Sequence, residues 1–260
     1  MNNQKLSNID VNVYPTKVAV GLAAGAAIEK KIIELQVVQD EVRIIFAAAP
    51  SQDETIEYLA KSKLIDWSKI HAFNMDEYMG LPPDSIQLFS NYLQERLFSK
   101  VNIGAINVIN TVGEVVDSMN SFEVKLTEKP IDIVCLGIGE NGHIAFNDPP
   151  VANFNDSKVI KIVKLDKLCR QQQVNDKCFE TIEKVPKEAI TLTIPALMSG
   201  KFLYCVVTGS VKANAVKCTL SGPVEESCPA SVLRTHPHCE FYLDKEAFSK
   251  TELLNQNETV

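Results

Sequence analysis

The sequence predicts a single α/β domain over residues 1–260, built on a largely parallel sheet. Two observations carry this expectation. Short runs rich in β-branched residues, such as Val42 to Ala48, Ile131 to Leu136 and Phe202 to Val207, are apolar along nearly their whole length, as strands covered on both faces must be. Between these runs lie segments whose apolar residues recur at helical spacing, so strand and helix alternate along the chain.

In chain order, Ile9, Val11 and Val13 alternate with polar residues and open the sheet, and Lys17 to Gln36 is a long helix. After the Val42 strand, Ser51 stands as an N-cap with Glu54 three residues on, the pattern of a capping box, and the helix continues to about Lys61. Ile70 to Met75 is the next strand and breaks into Asp76-Glu77-Tyr78-Met79-Gly80-Leu81-Pro82-Pro83. A helix is expected over Ser85 to Phe98, a strand over Ala105 to Ile109 and a helix over Val115 to Leu126. The Ile131 strand is closed by Gly137. Lys158 to Leu165 and Ala189 to Ile194 read as strands flanking a helix over Asp166 to Phe179. The Phe202 strand ends at Thr208-Gly209-Ser210, where a helix begins near Val211 and Lys212. Glu240 to Leu243 supplies a last strand, and the polar tail from Glu252 is expected to fray.

A net charge of −7 argues against a nucleic-acid partner, which needs a basic face, yet leaves room for a local cationic pocket. The chain carries no apolar stretch near the ~20 residues of a membrane span, so no membrane partner is expected. The seven cysteines are odd in number, form no Cys-x-x-Cys, and several sit inside apolar runs. They read as reduced core thiols of a cytoplasmic protein. His236-Pro237-His238-Cys239 has no second ligand cluster at suitable spacing, so no metal is expected there.

Four loops leave the C-terminal ends of predicted strands with polar residues: 49–53, 74–78, 137–148 and 208–212. Open parallel sheets bind ligands in the crevice beyond those ends. The third loop, Gly137-Ile138-Gly139-Glu140-Asn141-Gly142-His143-Ile144-Ala145-Phe146-Asn147-Asp148-Pro149-Pro150, is the most informative, because flexible glycines there deliver a histidine, the side chain suited to proton exchange near neutral pH. Asp76 and Glu77 read either as a solvated acidic turn or as a base aimed into the crevice. Asp148 suits a turn, and Arg170, in Cys169-Arg170-Gln171-Gln172-Gln173, suits a surface. Lys212 opens a helix, where backbone amides attract phosphate. Gly137, Gly139 and Gly142 also satisfy Gly-x-Gly-x-x-Gly, but no convincing helix follows and His143 crowds the place of a pyrophosphate, so a dinucleotide cofactor is not expected.

The two stretches Phe73-Asn74-Met75-Asp76-Glu77-Tyr78-Met79-Gly80-Leu81 and Gly137 to Pro149, in that order, resemble the glucosamine-6-phosphate deaminase/isomerase family. The likeness extends to Val185-Pro186-Lys187-Glu188-Ala189, Thr208-Gly209-Ser210-Val211-Lys212-Ala213 and Leu233-Arg234-Thr235-His236-Pro237, and so covers nearly the whole chain. It implies a doubly wound α/β fold, a three-layer sandwich with a modified Rossmann-like sheet. It also implies conversion of a 2-amino-2-deoxyhexose 6-phosphate (glucosamine 6-phosphate or an epimer such as galactosamine 6-phosphate) to a ketose 6-phosphate and ammonia, with neither metal nor organic cofactor. By the same resemblance Asp76 moves a proton from C2 to C1, His143 opens the sugar ring, and Asn141 and Asp148 flank it. Ser51, Glu77, Gly139, Gly142, Arg170 and Lys212 are the corresponding substrate-binding candidates. The partner is a small sugar phosphate, and the chain is compatible with a homo-oligomer.

Departures from the family pattern point to an altered substrate. Asn141 stands where well-known members carry aspartate, Asp148 replaces a glutamate, and the phosphate loop reads Ala48-Ala49-Pro50-Ser51-Gln52. The expected arginine after Asp166 is matched by either Arg170 or Lys177. Two other readings follow from the same loop. One is a 6-phosphogluconolactonase-like hydrolase, whose family lacks the Asn74-to-Tyr78 block. The other is a non-catalytic sugar-phosphate sensor, which Asn141 would suit.

Overall fold

The computed structural model describes residues 2–6 and 9–251. Its elements are β1 (Asn2–Leu6), β2 (Ile9–Tyr14), α1 (Lys17–Val38), β3 (Val42–Phe46), α2 (Asp53–Lys61), β4 (Ile70–Asn74), β5 (Asp76–Tyr78), α3 (Phe89–Arg96), β6 (Ala105–Asn107) and α4 (Val115–Thr127). They continue with β7 (Ile133–Leu136), β8 (Ile160–Lys164), α5 (Lys167–Asn175), β9 (Glu188–Leu192), α6 (Ile194–Met198), β10 (Phe202–Val207), α7 (Ala213–Ser221), β11 (Cys239–Asp244) and α8 (Lys245–Phe248). The main sheet has the order β1-β2-β11-β10-β7-β3-β4-β6. Every neighbouring pair is parallel except β1 with β2.

Alternation along the central strands divides the interior into two layers, because successive side chains point to opposite faces. Val134 and Leu136 of β7, with Leu203, Cys205 and Val207 of β10, meet α4, α6, α7 and α8 through Phe122, Leu126, Leu197, Val216 and Phe248. Ile133 and Cys135 of β7, with Ile44 and Phe46 of β3, meet α1, α2 and α3 through Val20, Ile28, Ile32, Leu59 and Leu93. The α/β sandwich is therefore the expected one. Thr16 caps α1, its hydroxyl accepting from the Ala19 amide at 3.2 Å. Gly21 lets α2 approach, since a Cβ there would fall 2.2 Å from Glu54 Cβ. No helix among the described residues is long and apolar enough to cross a membrane, and all seven cysteines are free thiols.

The sequence reading missed a second, three-stranded antiparallel sheet, β5-β9-β8. Asp76-Glu77-Tyr78 reads as a turn because it is short and acidic, yet it is extended and pairs with β9, Asp76 opposite Thr191. A third apolar cluster, including Tyr78, Phe146, Cys169, Phe179 and Ala189, supports this small sheet.

Three helix starts or ends also differ from expectation. Residues Pro50–Gln52 form a 3₁₀ turn and α2 begins at Asp53 without a side-chain cap, so Ser51 caps nothing. Glu54, the other half of the expected capping box, instead pairs with Lys17 at 3.1 Å. The helix expected from Ser85 begins only at Phe89, because residues 82–88 turn on themselves through Ser85 N–H to Pro82 O and Leu88 N–H to Ser85 O. Helix α5 stops at Asn175, two residues before Lys177 takes the left-handed φ of +60°. The segment beyond Thr251 lies outside the described residues.

Candidate active site

The four loops expected to converge do so beyond the C-terminal ends of β3, β4, β7 and β10, around a cavity of about 520 Å³. Its wall carries Ser51, Asp76, Gly139, His143 and Lys212. Sequence reasoning named all five.

Each is held by identifiable local structure. Asn74, fully buried, donates from Nδ2 to Asp76 O at 2.8 Å and accepts the Ile109 amide on Oδ1 at 2.9 Å, which fixes the passage of the chain from one sheet to the other. Thr191, opposite Asp76 in the small sheet, accepts the Phe146 amide on its hydroxyl at 3.1 Å. Asn147 donates to Leu192 O at 2.8 Å. The strand that pairs with Asp76 thus also anchors the loop of His143. Burial drives the Asp76 carboxyl well above the usual aspartate range, and the charge of Glu77 adds to the effect.

The imidazole of His143 lies across Gly139. A Cβ at that position would fall 2.1–2.3 Å from Cε1, Nδ1 and Nε2 of the ring, so only glycine admits it. The loop closes through Gly139 N–H to His143 O at 2.9 Å and Gly142 N–H to Gly139 O at 3.0 Å. Nδ1 stands 2.7 Å from Asn141 Oδ1 and 3.0 Å from Asp148 Oδ1. Two acceptors on that side place the ring proton on Nδ1 and leave the Nε2 lone pair available. Asn141 donates to Asp148 Oδ1 at 2.9 Å, so the amide ties the carboxylate to the ring. Burial pushes the Asp148 carboxyl upward, but the hydrogen bonds from His143 and Asn141 outweigh it and hold the group below the ordinary range. Asn141 and Asp148 therefore sit behind the imidazole and not on the cavity wall. The charge that Asn141 lacks is supplied one contact away by Asp148.

Lys212 is the last residue of a 3₁₀ turn, Ser210–Lys212, leading into α7. It is 8% exposed, and burial lowers its ammonium's proton affinity against the opposing pull of Asp176 and Glu140. Among the described residues no protein acceptor takes its Nζ. The Gly209 amide, expected to be open to phosphate, is taken by both carboxylate oxygens of Asp244 at 3.1 and 2.9 Å. Asp244 also accepts the Ala247 amide at 2.7 Å, so β11 and α8 jointly fix the turn that presents Lys212.

Three expected ligands are placed elsewhere. Glu77 spends its carboxylate on the amides of Tyr78, Phe89 and Ser90 at 3.0, 2.9 and 2.8 Å, which makes it the N-terminal anchor of α3. Glu77→Ala is expected to cost about 2 kcal/mol of stability, the upper range of a lost helix cap, measurable by urea unfolding. Arg170 donates to the carbonyls of Ile182 and Val185 and braces the turn before β9. Gly142, at φ +84°, packs against Cys228 and does not reach the cavity.

Of the two candidates for the cation after Asp166, Lys177 reaches the cavity and Arg170 does not. The structure also adds residues that no motif marked: Lys17, Arg96 and Gln173 reach the cavity. As single polar residues in ordinary helices and turns these three carry no sequence signal. Gln52, 1% exposed, lies beneath Ser51. Its Nε2 is 3.1 Å from Ser51 Oγ, 3.4 Å from Leu136 O and 3.3 Å from Val206 O, joining the phosphate-loop candidate to the ends of β7 and β10. Because Ser51 Oγ accepts from this amide, its own proton must point elsewhere.

The fold and this crevice define a doubly wound α/β enzyme with a buried carboxyl, an imidazole and several cationic side chains gathered at the strand ends. The family profile described as glucosamine-6-phosphate isomerases/6-phosphogluconolactonase matches residues 15–241, and the chain belongs to this family. It is 36% identical over 229 residues to a glucosamine-6-phosphate deaminase of Listeria innocua, spanning 87% of this chain and 95% of the relative. A glucosamine-6-phosphate deaminase 1 of Giardia intestinalis is 37% identical over 195 residues, or 73% of this chain and 71% of the relative. Among solved structures, a monomeric glucosamine-6-phosphate deaminase superposes with a TM-score of 0.82 at 27% identity, covering 92% of this chain and 99% of that one. A 6-phosphogluconolactonase from Thermotoga maritima, at 22% identity, shares the fold with a TM-score of 0.74 over 90% of this chain and 99% of its own.

Proposed function

We propose that this protein isomerises and deaminates a 2-amino-2-deoxyhexose 6-phosphate, with glucosamine 6-phosphate the foremost substrate, to a ketose 6-phosphate and ammonia. The observation that carries the reading is the meeting of Asp76, His143 and a buried ammonium, that of Lys212, which has no protein acceptor among the described residues, on one cavity. Lys212 and the Ser51 hydroxyl hold the phosphate. The Nε2 lone pair of His143 takes the anomeric hydroxyl proton and passes it to the ring oxygen, opening the pyranose. In the open chain the C2–H is acidified by the neighbouring C1 carbonyl. Asp76 removes that proton and returns it to C1, while O1 gains a proton and the amino nitrogen gives one up, which converts the 2-amino aldose into a 2-imino sugar with a C1 hydroxyl. Water then adds to the C=N bond and ammonia leaves. Burial raises the proton affinity of the Asp76 carboxylate, which strengthens it as a base for this transfer.

The test is ammonia and ketose formation from glucosamine 6-phosphate and galactosamine 6-phosphate, with 6-phosphogluconolactone as a third substrate. Ammonia from neither amino sugar overturns the reading, and lactone hydrolysis in its place selects the other branch of the family.

Two variants probe the phosphate end. Lys212→Met is expected to raise KM about 10- to 100-fold, the worth of a charge-assisted hydrogen bond, and to weaken inhibition by inorganic phosphate equally. Gln52→Leu releases the Ser51 hydroxyl from its orientation. KM should rise about three- to tenfold, as for one neutral hydrogen bond, with kcat retained. A KM unchanged in both variants would place the phosphate elsewhere.

A further inference from the structure

Behind the imidazole, on the side away from the cavity, three donor atoms of different chemistry come together. His143 Nδ1, a carboxylate oxygen of Asp148 and Cys169 Sγ lie within 4.8 Å of one another, and all three residues are buried. Asp148 Oδ1 is occupied by the ring and by Asn141. The Asp166 amide and the Cys169 thiol also lie close to this carboxylate, but among the described residues none meets its buried Oδ2 in good hydrogen-bonding geometry, although a buried carboxylate oxygen ordinarily has such a donor. Cys169 reaches this point from α5, the helix that also sends Gln172 and Gln173 to the cavity wall.

We propose that His143, Asp148 and Cys169 form an inhibitory binding site for a soft divalent cation of the zinc class. Nitrogen, oxygen and sulfur donors in a three-ligand set with one open position are what zinc takes in proteins. Donors around a tetrahedral zinc stand about 3.5 Å apart, so a small closure of α5 toward the loop completes the site. Binding releases the Cys169 proton to solvent as the S–metal bond forms, and no electron is transferred. The imidazole stays neutral, but its proton moves from Nδ1 to Nε2 as Nδ1 takes the metal. The ring then presents a donor to the cavity where ring opening requires an acceptor. The inhibition arm rests on the deaminase reading, whereas the binding arm does not.

The experiment titrates the full chain and its Cys169→Ser variant with Zn²⁺ and Co²⁺. Wild type should lose turnover to Zn²⁺, reversed by a chelator, and should show a thiolate-to-metal charge-transfer band with Co²⁺. Cys169→Ser should keep its basal turnover, lack the band, and require at least tenfold more Zn²⁺ for half inhibition, in line with the loss of one ligand. Because one proton is released, Zn²⁺ affinity should rise with pH. Absence of the charge-transfer band in wild type, a reading independent of the variant's folding, overturns the site. Equal Zn²⁺ sensitivity in wild type and Cys169→Ser does so as well. A band in a protein that releases no ammonia from any amino-sugar phosphate would sustain the site and defeat the deaminase reading.

Discussion

Asp76→Asn will abolish turnover and raise the melting temperature. The activity loss is expected at about 10⁴-fold, the upper range for removing a positioned acid–base group, because in the proposed reaction Asp76 accepts the C2 proton and asparagine cannot. The stability gain follows from burial. The folded state holds the Asp76 carboxyl well above its ordinary range, by desolvation first and by the charge of Glu77 second. Between the ordinary aspartate value and that raised value, the unfolded chain has released its proton while the folded chain retains it. The native state therefore loses stability as pH rises through this window, and the loss persists above it. An amide carries no such penalty. Thermal melts at several pH values should show Asp76→Asn gaining stability over wild type as pH increases, with the two converging in acid. A variant that melts below wild type at neutral pH would show that Asp76 supports the fold and is not a strained functional group.

Gly139→Ala is the second large effect, and it acts through a neighbour. The Gly139 backbone does not lie in the left-handed region, unlike Gly142 at φ +84° and Gly209 at φ +93°. Alanine is therefore conformationally acceptable, and the cost arises solely from the added methyl, 2.1 Å from His143 Cε1. The ring must leave its place over Gly139, and its hold on Asn141 and Asp148 goes with it. A displaced catalytic group costs on the order of 10²-fold or more, so kcat should fall about 100- to 1000-fold. The melting temperature should change little, because the cavity gives the ring somewhere to go. Turnover within threefold of wild type would mean that the observed seat of the imidazole is not the working one.

The central strands could be read in advance because they are covered on both faces, which forces continuous apolar runs such as Phe202 to Val207. The crevice was legible for a related reason. Polar loops that follow such runs have one destination in an open parallel sheet, and Ser51, Asp76, Gly139, His143 and Lys212 do line it. What escaped were features set by tertiary contact alone. β5 is three residues long and acidic, and only its pairing with β9 makes it a strand. Glu77 looks like a ligand beside Asp76, but the amides at the start of α3, twelve and thirteen residues on, claim its carboxylate. Arg170 is likewise claimed by Val185, fifteen residues away. Gln52 needed the ends of β7 and β10 to be known before its amide had a purpose.

The position of β11 has a consequence for how the chain is made. Residues 239–244 lie between β2 and β10 in the sheet. Hairpin β1–β2 therefore has no neighbour to dock on until more than two hundred further residues have been synthesised. An emerging chain can assemble β3, β4, β6, β7 and β10 early, but it exposes the open side of β10 to solvent in the meantime. Such an edge invites pairing with other chains. Ribosome-bound fragments ending before Cys239 should accordingly engage holding chaperones, and release should coincide with the emergence of Asp244.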